Sequence, residues 1–334
     1  MILITGATGL VGAYLLFDLS KQNESVAALY RSEERKKIVF QFFAKYDPYH
    51  PKQYRRVIWH QACLNDIVAL EKAFEGVTHV FHCAAFVSLF HHHKKKLQKV
   101  NVEGTANVVN LALEKGVKKL IYISSIAALG SSEKESLINE NAVWNVNGEH
   151  TAYAHSKFEA EMEVWRGNQE GLRTVILNPG VILSTDFWYR SSGKILDRIQ
   201  QGLSFYPTGK IAIVAVEDVV KACLLAHQTN SLDQNRFILV AQNMSYQSFI
   251  STIANGFFKK PARYPLSKSG LNLLLVLEFV LQKLIGRKRQ LSKGLIDTFC
   301  SEAEYDGSKI EKVATFNYRP TTELLEQLIR KSKG

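Results

Sequence analysis

The chain has 334 residues, 46% hydrophobic and 22% charged, which excludes a disordered or fibrous protein. That length is large for one compact core, so one domain with an appendage, or two domains, is expected. Net charge is +11, but the basic residues do not gather with aromatics in one recognition segment, so nucleic acid is not an expected partner.

Met1 runs straight into the apolar ILIT, so no signal peptide is expected. Cys63, Cys83, Cys223 and Cys300 are scattered without the spacing of a metal knuckle. Reduced thiols, no metal and a cytoplasmic setting are expected. In chain order, short β-rich apolar runs occupy residues 2–5, 26–30, 57–60, 77–83 and 120–124. Helical spacing fills 10–22, 32–46, 66–75, 94–115 and 151–167 between and after them. Alternation of this kind predicts βαβ units, hence an α/β fold with a doubly wound parallel sheet. A further strand at 172–177 ends in NPG, after which the alternation breaks down. The expected division is a dinucleotide-binding domain over 1–180, to which an element near 211–228 returns, and a smaller, mixed C-terminal lobe over 181–334 that binds substrate. Residues 211–214 are expected to rejoin the main sheet.

The stretch 271–286 reads LNLLLVLEFVLQKLIG and is amphipathic, with Asn272, Glu278, Gln282 and Lys283 on one side. It falls short of the roughly 18 apolar residues of a membrane span. Packing against its own domain or a subunit partner, as in a homodimer, is expected; membrane-surface contact is the alternative. The cluster HHHKKK at 91–96 reads as a solvated helix start whose histidines border a cleft at most.

The first strand leads into TGATGLVG, with Gly6, Gly9 and Gly12 opening a helix. Glycine is needed there for a tight turn, for close backbone approach to a pyrophosphate, and for close helix–strand packing. The helix start then offers free N–H groups to phosphate. Four segments match Tyr-x-x-x-Lys: YAHSK (Tyr153, Lys157), YPTGK (Tyr206, Lys210), YPLSK (Tyr264, Lys268) and YDGSK (Tyr305, Lys309). Pro207 with Gly209, Pro265, and Asp306-Gly307 disfavour a helix through the last three. Only YAHSK lies in an uninterrupted helix-forming run, which puts Tyr153 and Lys157 on one helix face.

Together these segments resemble the extended short-chain dehydrogenase/reductase family, also known as the epimerase/dehydratase superfamily, over roughly residues 1–220. TGATGLVG matches its TGxxGxxG pattern. VFHCAAFVS (80–88) is similar to its HxAA segment, KVNVEGTANVVN (99–110) to its next helix, and YISSIAALG (122–130) to its serine strand. The resemblance implies a Rossmann fold with a nicotinamide cofactor on Thr5, Gly6, Thr8, Gly9, Leu10, Val11 and Gly12, beside Ala84, Ala85, Asn178 and Pro179. It also implies Ser125, Tyr153 and Lys157 as catalytic residues, with Ser124 as the alternate serine and Asn101 in support. A lysine ammonium near the tyrosine favours its phenolate. Cys63 stands where the family commonly has an aspartate for adenine, so adenine is expected on the backbone of Leu64.

The second strand ends in Tyr30-Arg31 rather than an acidic residue. A guanidinium there suits a 2′-phosphate, so NADP(H) is expected, with NAD the alternative if Arg31 is only a surface residue. Phe86, Ser88, Trp188 and Tyr189 are candidate substrate-wall residues, with Trp144, Phe187 and Tyr206, and they suggest an apolar or aromatic carbonyl compound. A carbonyl reductase close to the dihydroflavonol 4-reductase-like branch leads. A sugar-nucleotide epimerase is the alternative, since the absence of a carboxylate after Ser125 disfavours only the dehydratases. A non-enzymatic dinucleotide-binding regulator is the third reading.

Overall fold

The computed structural model describes residues 1–22, 24–47, 50–130, 137–187, 193–285 and 291–331. Its strands in chain order are β1 (Ile2–Thr5), β2 (Val26–Tyr30), β3 (Ile58–Gln61), β4 (His79–His82), β5 (Lys119–Ile123), β6 (Leu137–Ile138) and β7 (Arg173–Pro179). These are followed by β8 (Val181–Leu183), β9 (Phe205–Pro207), β10 (Lys210–Ala215), β11 (Asn235–Leu239), β12 (Gln242–Ser245), β13 (Tyr264–Leu266) and β14 (Glu304–Tyr305).

Seven strands make one sheet in the order β11-β7-β5-β4-β1-β2-β3, every pair parallel. Parallel pairing needs crossovers, and these are helices that cover both faces. The β1 side chains alternate accordingly. Ile2 and Ile4 join the core under the helices Leu10–Ser20, Glu33–Tyr46 and Val216–Gln228. Leu3 joins the opposite core with Val108, Ala112, Ala160 and Val164 from the helices Gly104–Glu114 and Ala152–Gln169. The strand order reverses between β1 and β4, and ligands of open α/β sheets bind outside the carboxyl ends of the strands at such a point.

Residues 211–214 do not rejoin the main sheet. They belong to β10, which lies in a separate three-stranded sheet between β12 and β8. The strand that extends the main sheet beyond β7 is β11. KIAIVA is buried almost throughout, and an apolar run of that kind satisfies the burial requirement of either sheet. The following helix, Val216–Gln228, does return: Val216, Val219, Val220 and Cys223 are buried in the core over β1. Ile211 and Ile213 of β10 instead pack with Leu196, Phe249, Ile253 and Leu328 in a smaller C-terminal core. Among the described residues no helix is long and apolar enough to cross a membrane.

Candidate active site

The loop after β1 carries Gly6 at φ +69°, in the left-handed region that favours glycine. A Cβ on Gly6 would stand 2.6 Å from the Ala84 nitrogen, and one on Gly12 would stand 2.3 Å from the Gly6 oxygen. These two glycines are therefore fixed by close approach of the β4 end and of the loop itself. A Cβ on Gly9 would meet only the Gly6 oxygen within 4 Å, at 3.1 Å, so glycine there keeps one side of the turn open. No side chain caps the helix that starts at Leu10, and Gly9 holds its N-cap position. Val11 and Thr8 are buried and Leu10 is half-buried. An open glycine turn ahead of an uncapped helix fits a dinucleotide pyrophosphate.

Thr5 ties the ends of β1 and β4 together. Its Oγ1 accepts from the Ala84 N–H at 3.3 Å and shares a 2.6 Å hydrogen bond with His82 Nδ1. The other ring nitrogen of His82 lies 2.9 Å from Thr105 Oγ1, and the ring stacks on Tyr122. Burial holds this histidine down to about 3, so it stays neutral and structural. Ala85 is exposed beside it, while Ala84 is half-buried.

Tyr153, Ser156 and Lys157 occupy the helix Ala152–Gln169, which Thr151 caps by accepting from the Ala154 N–H. Tyr206, Tyr264 and Tyr305 of the other Tyr-x-x-x-Lys matches lie on β9, β13 and β14, so only Tyr153 and Lys157 share one continuous helix. Tyr153 is half-buried, and its phenol hydrogen-bonds with the Ser125 side chain at the end of β5. Burial raises the phenol pKa, and the Ser125 bond opposes that. Lys157, only 1% exposed, donates to Tyr122 Oη at 2.7 Å and to the Ile123 carbonyl at 2.8 Å. Burial lowers its pKa to about 7, with Glu161 opposing the shift.

Asn101 is buried inside a π-helical segment, Gln98–Glu103. Its Oδ1 accepts from the Phe86 N–H at 2.7 Å, and its Nδ2 donates to the Phe86 carbonyl at 3.0 Å and to Ser156 Oγ at 2.9 Å. One side chain thus joins the loop after β4 to the helix that carries Tyr153. Asn178, fully buried near the end of β7, donates to the Ser125 carbonyl at 3.0 Å. Pro179 follows it in the strand.

Behind Ser125 lies a group that the sequence motifs did not single out. Glu161, 1% exposed, accepts from Ser124 Oγ at 2.7 Å, from Asn178 Nδ2 at 2.8 Å and from Arg236 Nη1 at 3.2 Å. Its position four residues after Lys157, on the same helix face, was the available signal. Arg236 gives none, because it arrives from β11, 75 residues away. Ser124 is thereby committed to Glu161, whereas the Ser125 hydroxyl meets Tyr153.

On the second strand, Arg31 is exposed just past β2, close enough to Arg35 for the two guanidinium groups to repel. Desolvation first, and then Arg35, lowers the Arg31 pKa. Neither makes an ion pair among the described residues. Glu33 is drawn off toward Tyr30 and Lys36. Leu64 is buried, and its carbonyl already accepts from Asn107 Nδ2 at 2.9 Å.

The loop after β4 forms an aromatic rim. The Phe86 ring meets His93 edge-on, with Lys96 over its face, and Ser88 Oγ lies 2.7 Å from His93 Nδ1. Val87, Leu89 and Phe90 are exposed alongside. Trp144 stacks between His150 and Phe158, beside the helix of Tyr153. Phe187 is buried against Phe42, and Tyr206 packs on the C-terminal core, so both serve packing. Trp188 and Tyr189 lie outside the described residues.

Against known proteins, the profile of the NAD dependent epimerase/dehydratase family matches residues 2–241. A protein of Synechocystis sp. named "Putative dihydroflavonol 4-reductase" is 29% identical over 92% of this chain and 87% of its own. The crystal structure of gox2253 superposes with a TM-score of 0.81 at 25% identity, covering 100% of this chain and 98% of that one. A Thermus thermophilus UDP-glucose 4-epimerase, solved as its complex with NAD, gives 0.72 at 18% identity over 100% and 99% of the two chains. With its glycine turn, its seven-stranded parallel sheet and a match over most of its length, the chain belongs to the NAD dependent epimerase/dehydratase family, the extended short-chain dehydrogenase/reductases.

Proposed function

We propose that this protein is an NADP(H)-dependent carbonyl reductase or alcohol dehydrogenase, with Tyr153 as general acid and base, acting on an apolar or aromatic carbonyl compound. The observation that carries the reading is the Ser125–Tyr153 hydroxyl pair at the carboxyl edge of the sheet. When bound on the glycine turn, the nicotinamide supplies the hydride. Tyr153 Oη donates the proton to the substrate oxygen, and the Ser125 hydroxyl holds that oxygen and the phenol in register. Lys157 contributes positive charge through Tyr122, whose phenol accepts from it and lies within electrostatic reach of Tyr153. Asn101 and Asn178 fix the backbone around this pair.

Because the Lys157 pKa sits near 7, its charge is present below that pH and lost above it. Tyr153, raised by burial, keeps its proton throughout the neutral range. The kcat/KM for NADPH-dependent reduction should therefore hold on the acid side and fall as pH rises through about 7. A profile that climbs across that window overturns the role of Lys157.

The unpaired Arg31 and Arg35 support a 2′-phosphate, which a pair of guanidinium groups binds with charge-assisted hydrogen bonds. Arg31→Ala should weaken NADPH binding about 10- to 100-fold, the worth of one such bond, and leave NADH binding unchanged. Fluorescence titration with both nucleotides reads the difference. Equal losses for both, or none, would leave NAD as the cofactor.

The exposed Val87, Leu89 and Phe90 and the similarity to the Synechocystis protein favour an apolar substrate. The deciding experiment follows NADPH oxidation with aromatic ketones, aldehydes and nucleotide sugars. Net consumption with a ketone supports the reductase. Interconversion of a nucleotide sugar without net cofactor turnover supports an epimerase instead.

A further inference from the structure

Over residues 271–277 the helix Lys268–Ile285 turns its apolar side outward. At about 100° per residue, Leu271 and Glu278 share one face and Leu273, Val276 and Leu277 the other. The first face meets the protein: Leu271 is buried, and the Glu278 carboxylate accepts from the Leu291 N–H at 2.9 Å. The second face is bare, with Leu273 72%, Val276 59% and Leu277 52% exposed and Leu274 exposed at its edge. An ordinary surface helix does the reverse, burying its leucines and showing its charges. A contiguous exposed apolar row of this kind marks an interaction surface.

The charge around the row identifies what it fits. Ahead of the helix the sequence places Lys259, Lys260 and Arg263 with no acidic residue among them, while Lys268 at its start pairs with Asp297 at 2.6 Å. Lys259, Lys260, Arg263 and Lys268 are exposed. Phe205 and Tyr264, on the paired strands β9 and β13 just ahead of the helix, are also exposed, with their rings 5.6 Å apart. Pairing with a second copy through a two-fold axis would bring two such basic segments together, which disfavours self-association. An apolar row flanked by lysine and arginine, on a helix too short and polar to span, has the chemistry of an interfacial anchor.

We infer that the helix Lys268–Ile285 and the exposed Lys259, Lys260 and Arg263 ahead of it dock this protein on an anionic lipid surface, with Leu273, Val276 and Leu277 entering the headgroup boundary. Leu273, Val276 and Leu277 belong to neither the glycine turn nor the Ser125–Tyr153 pair, so substituting them alters no residue of either.

The test is flotation of the full chain with phosphatidylcholine vesicles, with and without phosphatidylserine. The wild type should float with the anionic vesicles, less so as salt is raised. L273S/L277S should bind them about tenfold or more weakly, with unchanged circular dichroism and unchanged nucleotide affinity. K259E/K260E keeps the apolar row and should lose most of the preference for phosphatidylserine. Absence of flotation, or flotation that both variants leave unchanged, overturns the inference. So does a dimer in sedimentation equilibrium that L273S/L277S dissociates while the wild type ignores vesicles, because the row would then be a protein interface.

Discussion

Tyr153→Phe should lower kcat for carbonyl reduction by about 10³-fold, the middle of the range for loss of a positioned proton donor. The substitution keeps the ring in its half-buried site and deletes one oxygen, the atom that meets the Ser125 hydroxyl. Folding and nucleotide affinity should be unchanged, since neither the glycine turn nor Arg31 is altered. Steady-state kinetics with a ketone substrate, alongside nucleotide titration, checks both parts. A variant within tenfold of wild type would remove Tyr153 from the chemistry, and the serine with it.

The second large effect falls on stability. Glu161→Ala deletes a buried carboxylate that accepts from Ser124, Asn178 and Arg236, and it strands their donors. Breaking such a pair from one side costs about 3–5 kcal/mol, because an uncompensated charge stays behind. Arg236 keeps its bonds to the Glu140 and Ala142 carbonyls and is partly solvated, which places the expected loss near the lower end. Asn178, freed from Glu161, also loses part of what holds it against the Ser125 carbonyl, so kcat should fall with little change in nucleotide affinity. Urea unfolding of the wild type, Glu161→Ala and Glu161→Gln orders them, with Glu161→Gln intermediate because it keeps an acceptor for Ser124. Equal midpoints for all three would mean that Glu161 is bypassed.

The parts of this protein that were legible in its sequence are those whose physics is confined to a few consecutive residues. A left-handed turn at Gly6 and a Cβ-free approach at Gly12 require glycine wherever they occur, so the spacing alone announced the loop. The alternation of short apolar runs with helical spacing announced parallel strands and their crossovers, because a parallel pair is joined in no cheaper way. The uninterrupted run around YAHSK separated Tyr153 and Lys157 from three other matches broken by proline or an Asp-Gly turn.

What the tertiary structure alone decided are relations between distant segments. The apolar run of β10 satisfies either sheet, and only its partners, β8 and β12, assign it to the smaller one. The Lys157 ammonium lies between Tyr122 Oη and the Ile123 carbonyl, a position set by how the helix packs on β5. The carboxylate behind Ser125 finds its arginine 75 residues away. The sequence showed that residues 271–286 have one apolar side, and packing determined that its Leu273, Val276 and Leu277 face outward. Backbone turns and helix periodicity are fixed by local sterics. Strand partners, buried ion pairs and the orientation of a helix depend on which surfaces meet once the chain has closed on itself.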